Sequence, residues 1–229
     1  MILWIAIVLV ILWMVHECSR LHQFNYEGCV KEIHSVNSTV IHEYLKPKHP
    51  LLIHNVPMEP VYLSGILKDN PGYILRDSQS HLLLDTFKDI ESMSLYQRPT
   101  LSRELGFHER LLDMGSPFQT TMTCGSKTDL SLFKGYHQTP LTKATHNITL
   151  LSVFSGTCIV YLINPKHEAE IHNQLTDHIK KWSHRVVLKP NAVLSIPTQW
   201  LYVYECKGEV VVGRYYANTY GTHMYNAFR

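Results

Sequence analysis

No run of Lys or Arg longer than two occurs in this 229-residue chain, so nothing supplies the basic stripe that nucleic acid requires. Charged residues are scarce, at 17% against about a quarter in ordinary soluble domains. The net charge of +2 is close to neutral. No G-x-S-x-G, Walker or dinucleotide glycine pattern is present. No Ser, Cys or His stands in a recognisable nucleophile setting, so a hydrolase has no positive support. The five Cys (18, 29, 124, 158 and 206) show no C-x-x-C spacing, and their odd number forbids full pairing within the chain. The redox compartment stays open. Repeats and low-complexity segments are also lacking. What is present is 45% hydrophobic residues and thirteen Tyr, enough for one good core and for aromatic-rich strands.

The N-terminus lacks charge altogether. Met1 to Val15 contains no charged residue, Gly or Pro and is mostly Ile, Leu, Val and Trp. As a helix it rises about 22 Å, and about 27 Å to Cys18, which spans a thin or locally thinned bilayer. Trp4 and Trp13 suit the two interfaces. A cleaved signal peptide competes, but there is no basic n-region and no small-x-small pattern before His16-Glu17-Cys18-Ser19-Arg20. A buried core helix fits poorly, because no face is polar. The expected organisation is a transmembrane anchor over residues 1–18, which makes the lipid bilayer a partner, then a juxtamembrane segment 19–45 and a β domain 46–229. Orientation is open, since Arg20, Lys31, Lys46 and Lys48 are mixed with Glu17, Glu27, Glu32 and Glu43. Asn37-Ser38-Thr39 and Asn147-Ile148-Thr149 are glycosylation sequons, although ten Asn make two chance matches unremarkable. Cys18, just past the anchor, is either a palmitoylation site or an inert thiol.

Further along, Val30, Ile33, Val40, Ile41 and Tyr44 have a rough helical spacing broken by the polar patch at Asn37. Lys46-Pro47-Lys48-His49-Pro50 ends any helix, and Leu51-Leu52-Ile53 reads as a short buried strand. Helical patterns are expected over His81 to Tyr96, with Ser80 as cap, and over Ser102 to Met114. From Leu150 the period becomes that of strands. Leu150 to Phe154 and Thr157 to Ile163 form a hairpin about Ser155-Gly156. Lys166 to Trp182 has helical spacing at Ile171, Leu175 and Ile179. Four short strands follow: Arg185–Leu188, Ala192–Ile196, Trp200–Cys206 and Glu209–Tyr216. The fold class is mainly β with a helical N-terminal part.

Fifteen His invite a metal site. His167-Glu168-Ala169-Glu170-Ile171-His172 carries one residue more than H-E-x-x-H. On a helix its imidazoles lie about 140° apart and cannot share a metal.

Several pieces in order resemble a JmjC or cupin-like oxygenase domain. They are Lys48-His49-Pro50-Leu51-Leu52-Ile53, Leu84-Asp85-Thr86-Phe87, Leu132-Phe133-Lys134-Gly135-Tyr136, and Thr139-Pro140-Leu141. Asn147, the Gly156 hairpin closing at Leu162-Ile163-Asn164-Pro165, and Leu188 to Trp200 complete the set, so the resemblance covers roughly residues 46 to 217. It implies a double-stranded β-helix, a small barrel with an open mouth. Active members hold Fe(II) with a His-x-Asp/Glu pair and a distant His. Aligned on Asn147, the pair falls on Leu141 and Lys143; aligned on Gly156, on Lys143 and Thr145. The distal His falls on Tyr202, and a Lys that grips 2-oxoglutarate falls near Cys158. A Lys at a ligand position repels Fe(II). His137 and His146 flank the expected strand without a carboxylate two residues on, so surface or turn histidines are the better reading.

The expectation is therefore a non-catalytic, membrane-anchored structural or interaction protein on a degenerate barrel. It needs no metal or cofactor, has no catalytic residue, and has a protein partner whose identity is open. Proteins resembling this one occur in large DNA viruses and microbial eukaryotes, so a virion component is one setting. The alternatives are a membrane-bound Fe(II)/2-oxoglutarate-type oxygenase with rearranged ligands, and a ligand- or glycan-binding barrel.

Overall fold

The computed structural model describes residues 2–22, 28–45, 48–77, 80–84, 86–171 and 176–227. Helix α1 (Ile2–His22) precedes strand β1 (Lys31–Ile33), helix α2 (Ser38–Leu45) and strand β2 (Leu51–Ile53). Next come α3 (Leu63–Asp69), β3 (Ile74–Asp77), β4 (Ser80–Leu83), α4 (Thr86–Asp89), β5 (Met93–Arg98), α5 (Pro99–Glu104) and α6 (Phe107–Gly115). The chain then turns mostly to strand, with β6 (Thr123–Lys134), β7 (Tyr136–Gln138), β8 (Thr142–Lys143), β9 (Ile148–Ser155) and β10 (Cys158–Ile163). Short helices α7 (Glu168–Ile171) and α8 (Thr176–Lys181) lead to β11 (Ser183–Leu188), β12 (Val193–Ile196), β13 (Leu201–Lys207), β14 (Val210–Thr219) and helix α9 (Tyr220–Ala227).

Seven strands form one sheet in the order β1-β2-β12-β9-β14-β6-β5. A second sheet runs β11-β10-β13-β7, with β8 also pairing to β13. Only β1 and β2 pair in parallel; the other pairs of these two sheets are antiparallel. All eight residues of β9 are buried, because both faces of the larger sheet are covered. On one face Leu150, Phe154, Val193, Val211 and Tyr215 pack with Leu63, Leu101, Leu111 and Met114 from the helices. On the other, Leu151, Val153, Leu194, Val210 and Val212 meet Val160, Leu162, Val186, Tyr202 and Tyr204 of the second sheet. Each fully buried side chain of this kind contributes about 1.5–3 kcal/mol. Helix α6 lies close on β14 because the contact is made by glycine: a Cβ on Gly213 would stand 2.6 Å from Phe154 and 2.7 Å from Leu111. The two sheets are separate hydrogen-bonded units, and no closed barrel forms among the described residues.

Several expectations are corrected. The helix expected over His81 to Tyr96 is instead the end of the β3–β4 pair, one turn at α4, and strand β5. Ser80 lies in β4 opposite Asp77 rather than capping a helix. Within this stretch Phe87 is buried and Ile90 exposed, so the two do not share a buried face. The helix over Ser102 to Met114 is broken into α5 and α6 at Gly106, whose φ of 73° is left-handed and open to glycine at no steric cost. Residues 28–45 contribute to the domain. Strand β1 pairs with β2, and Ile33 and Ile41 join the core, Ile41 with no exposure. Strand β6 has no counterpart in the sequence reading beyond Leu132 and Phe133. The Leu150 hairpin and the four later strands all appear, as β9, β10, β11, β12, β13 and β14. Lys46, Pro47, Asp85, His172 and Leu175 lie outside the described residues.

Candidate functional site

The register of β8 on β13 fixes which way the expected ligand positions point. Thr142 stands opposite Tyr202, and Lys143 opposite Leu201. Directly opposed residues share a face of the sheet, and Tyr202 belongs to the cluster between the sheets. Thr142 therefore faces inward and Lys143 outward. The outward Lys143 Nζ is taken up by Glu168, at 2.8 and 2.7 Å from its two carboxylate oxygens. Ala144, two residues beyond Thr142, is also inward and buried. The inner pair is thus Thr142-x-Ala144, one residue off both sequence alignments. Leu141 and Thr145 are exposed.

Opposite them, the larger sheet aims a charge inward. In β14 the residues Val210, Val212, Arg214 and Tyr216 alternate onto one face, and Arg214 pairs in register with Asp129 of β6. Arg214 donates from Nε and Nη2 to Asp129 Oδ2, at 2.9 and 2.6 Å, and from Nη1 to the Tyr202 hydroxyl at 2.8 Å. Asp129 is almost fully buried, and its Oδ1 has no hydrogen-bond partner in good geometry. Thr142 Oγ1 lies 3.3 Å from the Tyr96 hydroxyl, to which Gln97 Nε2 also donates. The Tyr216 ring carries the Arg214 guanidinium at 5.0 Å and stacks on His146 at 4.4 Å.

Burial governs the protonation of this cluster. It raises Tyr202, with Arg214 opposing, and raises Tyr96, so both hydroxyls keep their protons. Burial likewise lifts the Asp129 carboxyl above its ordinary value against the pull of Arg214. For Arg214, burial alone would lower the value, but Tyr202 and Asp129 outweigh it and hold the guanidinium charged. His146 is lowered by burial, while its hydrogen bond to Asn218 works the other way. Chemically the cluster is a buried Arg214–Asp129 ion pair ringed by protonated tyrosine hydroxyls.

A pocket of about 350 Å³ opens nearby, lined by Lys127, His146, Tyr216, Asn218 and His223 among others. No group of three His, Cys, Asp or Glu suited to a metal occurs among the described residues. His137 sits opposite Cys206 and bonds Ser92 and the Lys134 carbonyl. His167 pairs with Glu170 at 2.7 Å and stacks on Trp182. Cys158 is fully buried opposite Cys206 on β13. The Arg214–Asp129 pair escaped the sequence reading, although an Arg in step with Val210 and Val212 was a readable sign of a charge on a buried face.

The other unusual surface is α1. Leu3 to Leu12 are all exposed, Leu3 at 71% and Trp4 at 70%. Lower down, Trp13 shares a small pocket with Tyr220 and Gly221 of α9, so this end of α1 docks on the domain. Among the described residues no helix is long and apolar enough to cross a membrane. Asn37 is exposed, and its Oδ1 caps α2 by accepting from Thr39 N at 2.9 Å. Asn147 is half-buried at the start of β9. No protein-family model matches this chain, and no curated protein is similar enough to match it.

Proposed function

We propose that this chain is a non-catalytic, membrane-tethered structural or interaction protein built on a degenerate JmjC- or cupin-like double-stranded β-helix. The observation that carries the reading is the inner face of β8 and β13, where Thr142 stands opposite Tyr202 and the Tyr202 hydroxyl accepts from Arg214. None of these inward side chains is an imidazole, and the carboxylate near them, Asp129, is already taken up by Arg214, so a metal there would meet missing ligands and would have to break that pair. The path of the chain supports the double-stranded β-helix. It crosses from the larger sheet to the smaller between β9 and β10, returns at β12, crosses again at β13 and returns at β14. The tether is supported by the exposed apolar run of α1, since ten consecutive apolar residues in water call for lipid or a partner to cover them. The 21-residue helix measures about 31 Å, near the thickness of a hydrocarbon core, although its charge-free part is shorter. A virion is one assembly that suits such a protein.

The test loads the detergent-solubilised full chain with Fe(II) and 2-oxoglutarate under anaerobic conditions. The expected result is no stoichiometric iron and no turnover when oxygen is admitted. Tight iron or 2-oxoglutarate consumption overturns the non-catalytic reading in favour of an oxygenase with rearranged ligands. The pocket beside His146 favours a second reading, a barrel that binds a small polar ligand through Lys127 and Asn218 without chemistry.

A further inference from the structure

We propose that Cys158 and Cys206 are joined by a disulfide in the folded protein, which places the β domain on the oxidising side of its membrane. The second part rests on the tether proposed above; the first does not. Strands β10 and β13 pair antiparallel, with Cys158 directly opposite Cys206. Directly opposed residues in such a ladder have Cα atoms about 4.5–5.5 Å apart, inside the range of about 4.4–6.8 Å that a disulfide bridges without moving the backbone. The two sulfurs lie 2.8 Å apart. The two thiols are unbonded at this distance, which is shorter than an ordinary contact between sulfurs and about 0.8 Å longer than an S–S bond, so closing the bond takes a side-chain shift of under about 1 Å. Both residues are buried, at 0% and 1% exposure, among Val160, Leu188, Tyr204 and Val210. Cys29 and Cys124 are half-buried and make no such approach among the described residues.

The step is thiol–disulfide exchange with a disulfide-carrying oxidant. One cysteine attacks the oxidant's S–S bond and forms a mixed disulfide. The second displaces the oxidant's remaining sulfur, so one S–S bond forms, one breaks, and the two thiol protons leave with the oxidant's two thiols. Attack needs a thiolate and access. In the folded domain both are denied, because burial keeps the Cys158 thiol protonated and no solvent reaches the pair. The bond therefore forms before β13 closes on β10, and afterwards it is shielded from reductants. Oxidants of this class operate outside the cytosol. The exposed Asn37 then faces the same compartment.

The test takes the full chain from its native membranes under acid quench, then alkylates it in denaturant without reductant. Denaturation removes burial as a reason for failure to react. Cys158 and Cys206 should stay unmodified until reductant is added, and proteolysis should yield their two peptides linked. The double variant Cys158→Ser with Cys206→Ser should lose the drop in thermal midpoint that reduction in denaturant followed by refolding gives the wild type. Alkylation of both thiols before reduction, or a link from either sulfur to another cysteine, overturns the proposal. An alkaline carbonate wash of the same membranes reads the tether separately. Linked cysteines in a soluble fraction would sink the tether and the membrane side alone, and free thiols in the pellet would sink the disulfide.

Discussion

Leu3 to Leu12 of α1 and the Arg214–Asp129 pair both stand in the wrong solvent for their chemistry, and different means hold them there. The helix carries apolar side chains into the open, and among the described residues nothing of its own chain covers Leu3 to Leu12. The ion pair carries charge into the space between two sheets, where Tyr202 and the in-register strands supply its partners. The interior inversion is compensated within the domain save for Asp129 Oδ1; that of α1 needs something outside it. A region that violates the usual partition and is locally satisfied reads as structure. One that is left unsatisfied reads as a surface for a partner or a bilayer.

The largest effect should come from forcing α1 to follow the usual rule. Ile7→Lys with Leu9→Lys costs roughly 2.5–3.5 kcal/mol per Lys near a bilayer centre, so the chain should move from the carbonate-washed pellet to the supernatant. Retention in the pellet would show that α1 is covered by protein rather than lipid. Next, Asp129→Ala leaves the Arg214 charge buried without its carboxylate and should cost about 3–5 kcal/mol in urea unfolding. The paired change Asp129→Leu with Arg214→Met removes both charges and should recover most of that loss. If it unfolds as readily as Asp129→Ala, the interior needs the pair for more than mutual neutralisation.

How much of this was legible in the sequence follows the same divide. Strands β9 to β14 are readable because β-branched and aromatic residues crowd them, and the apolar run of α1 announces itself. Strand β6 is not, because Ser126, Thr128, Asp129 and Ser131 break any apolar alternation. Those residues are tolerated only because Arg214, Ser102, His108 and the backbone of Gln97 satisfy some of them across other elements. The inner face of β8 was not readable, since a two-residue strand has no period to count and only its pairing with β13 shows that Thr142 points inward and Lys143 outward. The Cys158–Cys206 approach depends wholly on register across 48 residues.

Smaller effects sharpen the comparison at the rim of the interior. The His146 value is lowered by burial, so the native state binds fewer protons there than an unfolded chain titrating near pH 6.5. Its contribution to stability is present above about pH 6.5 and is lost as pH falls towards the lowered value. His146→Phe keeps a ring against Tyr216 and should flatten the fall in urea midpoint between pH 7 and pH 5. Asp129, raised by burial, contributes the opposite slope, so the readout is the difference between variant and wild type. An unchanged slope would mean that the imidazole is hydrated in solution. Smallest of all, Lys143→Ala removes a partly exposed pair with Glu168 and should cost less than about 1 kcal/mol. A larger loss would place Lys143 in the buried network rather than on the outer face.

The pairing of β2 with β12 bears on how the chain is made. Leu51 finds its ladder partner in Ser195, 144 residues later. Strand β1 in turn pairs only with β2. Synthesis at about 5–20 residues per second leaves on the order of ten seconds between the appearance of β2 and that of its neighbour. Throughout that interval β1 and β2 have only each other to pair with, because β12, which joins β2 to the rest of the larger sheet, has not been made. On the proposed tether, α1 would enter the bilayer first and hold the rest as an unfolded leash. Folding would then be a post-translational event at the membrane surface, in which the last hundred residues recruit the first.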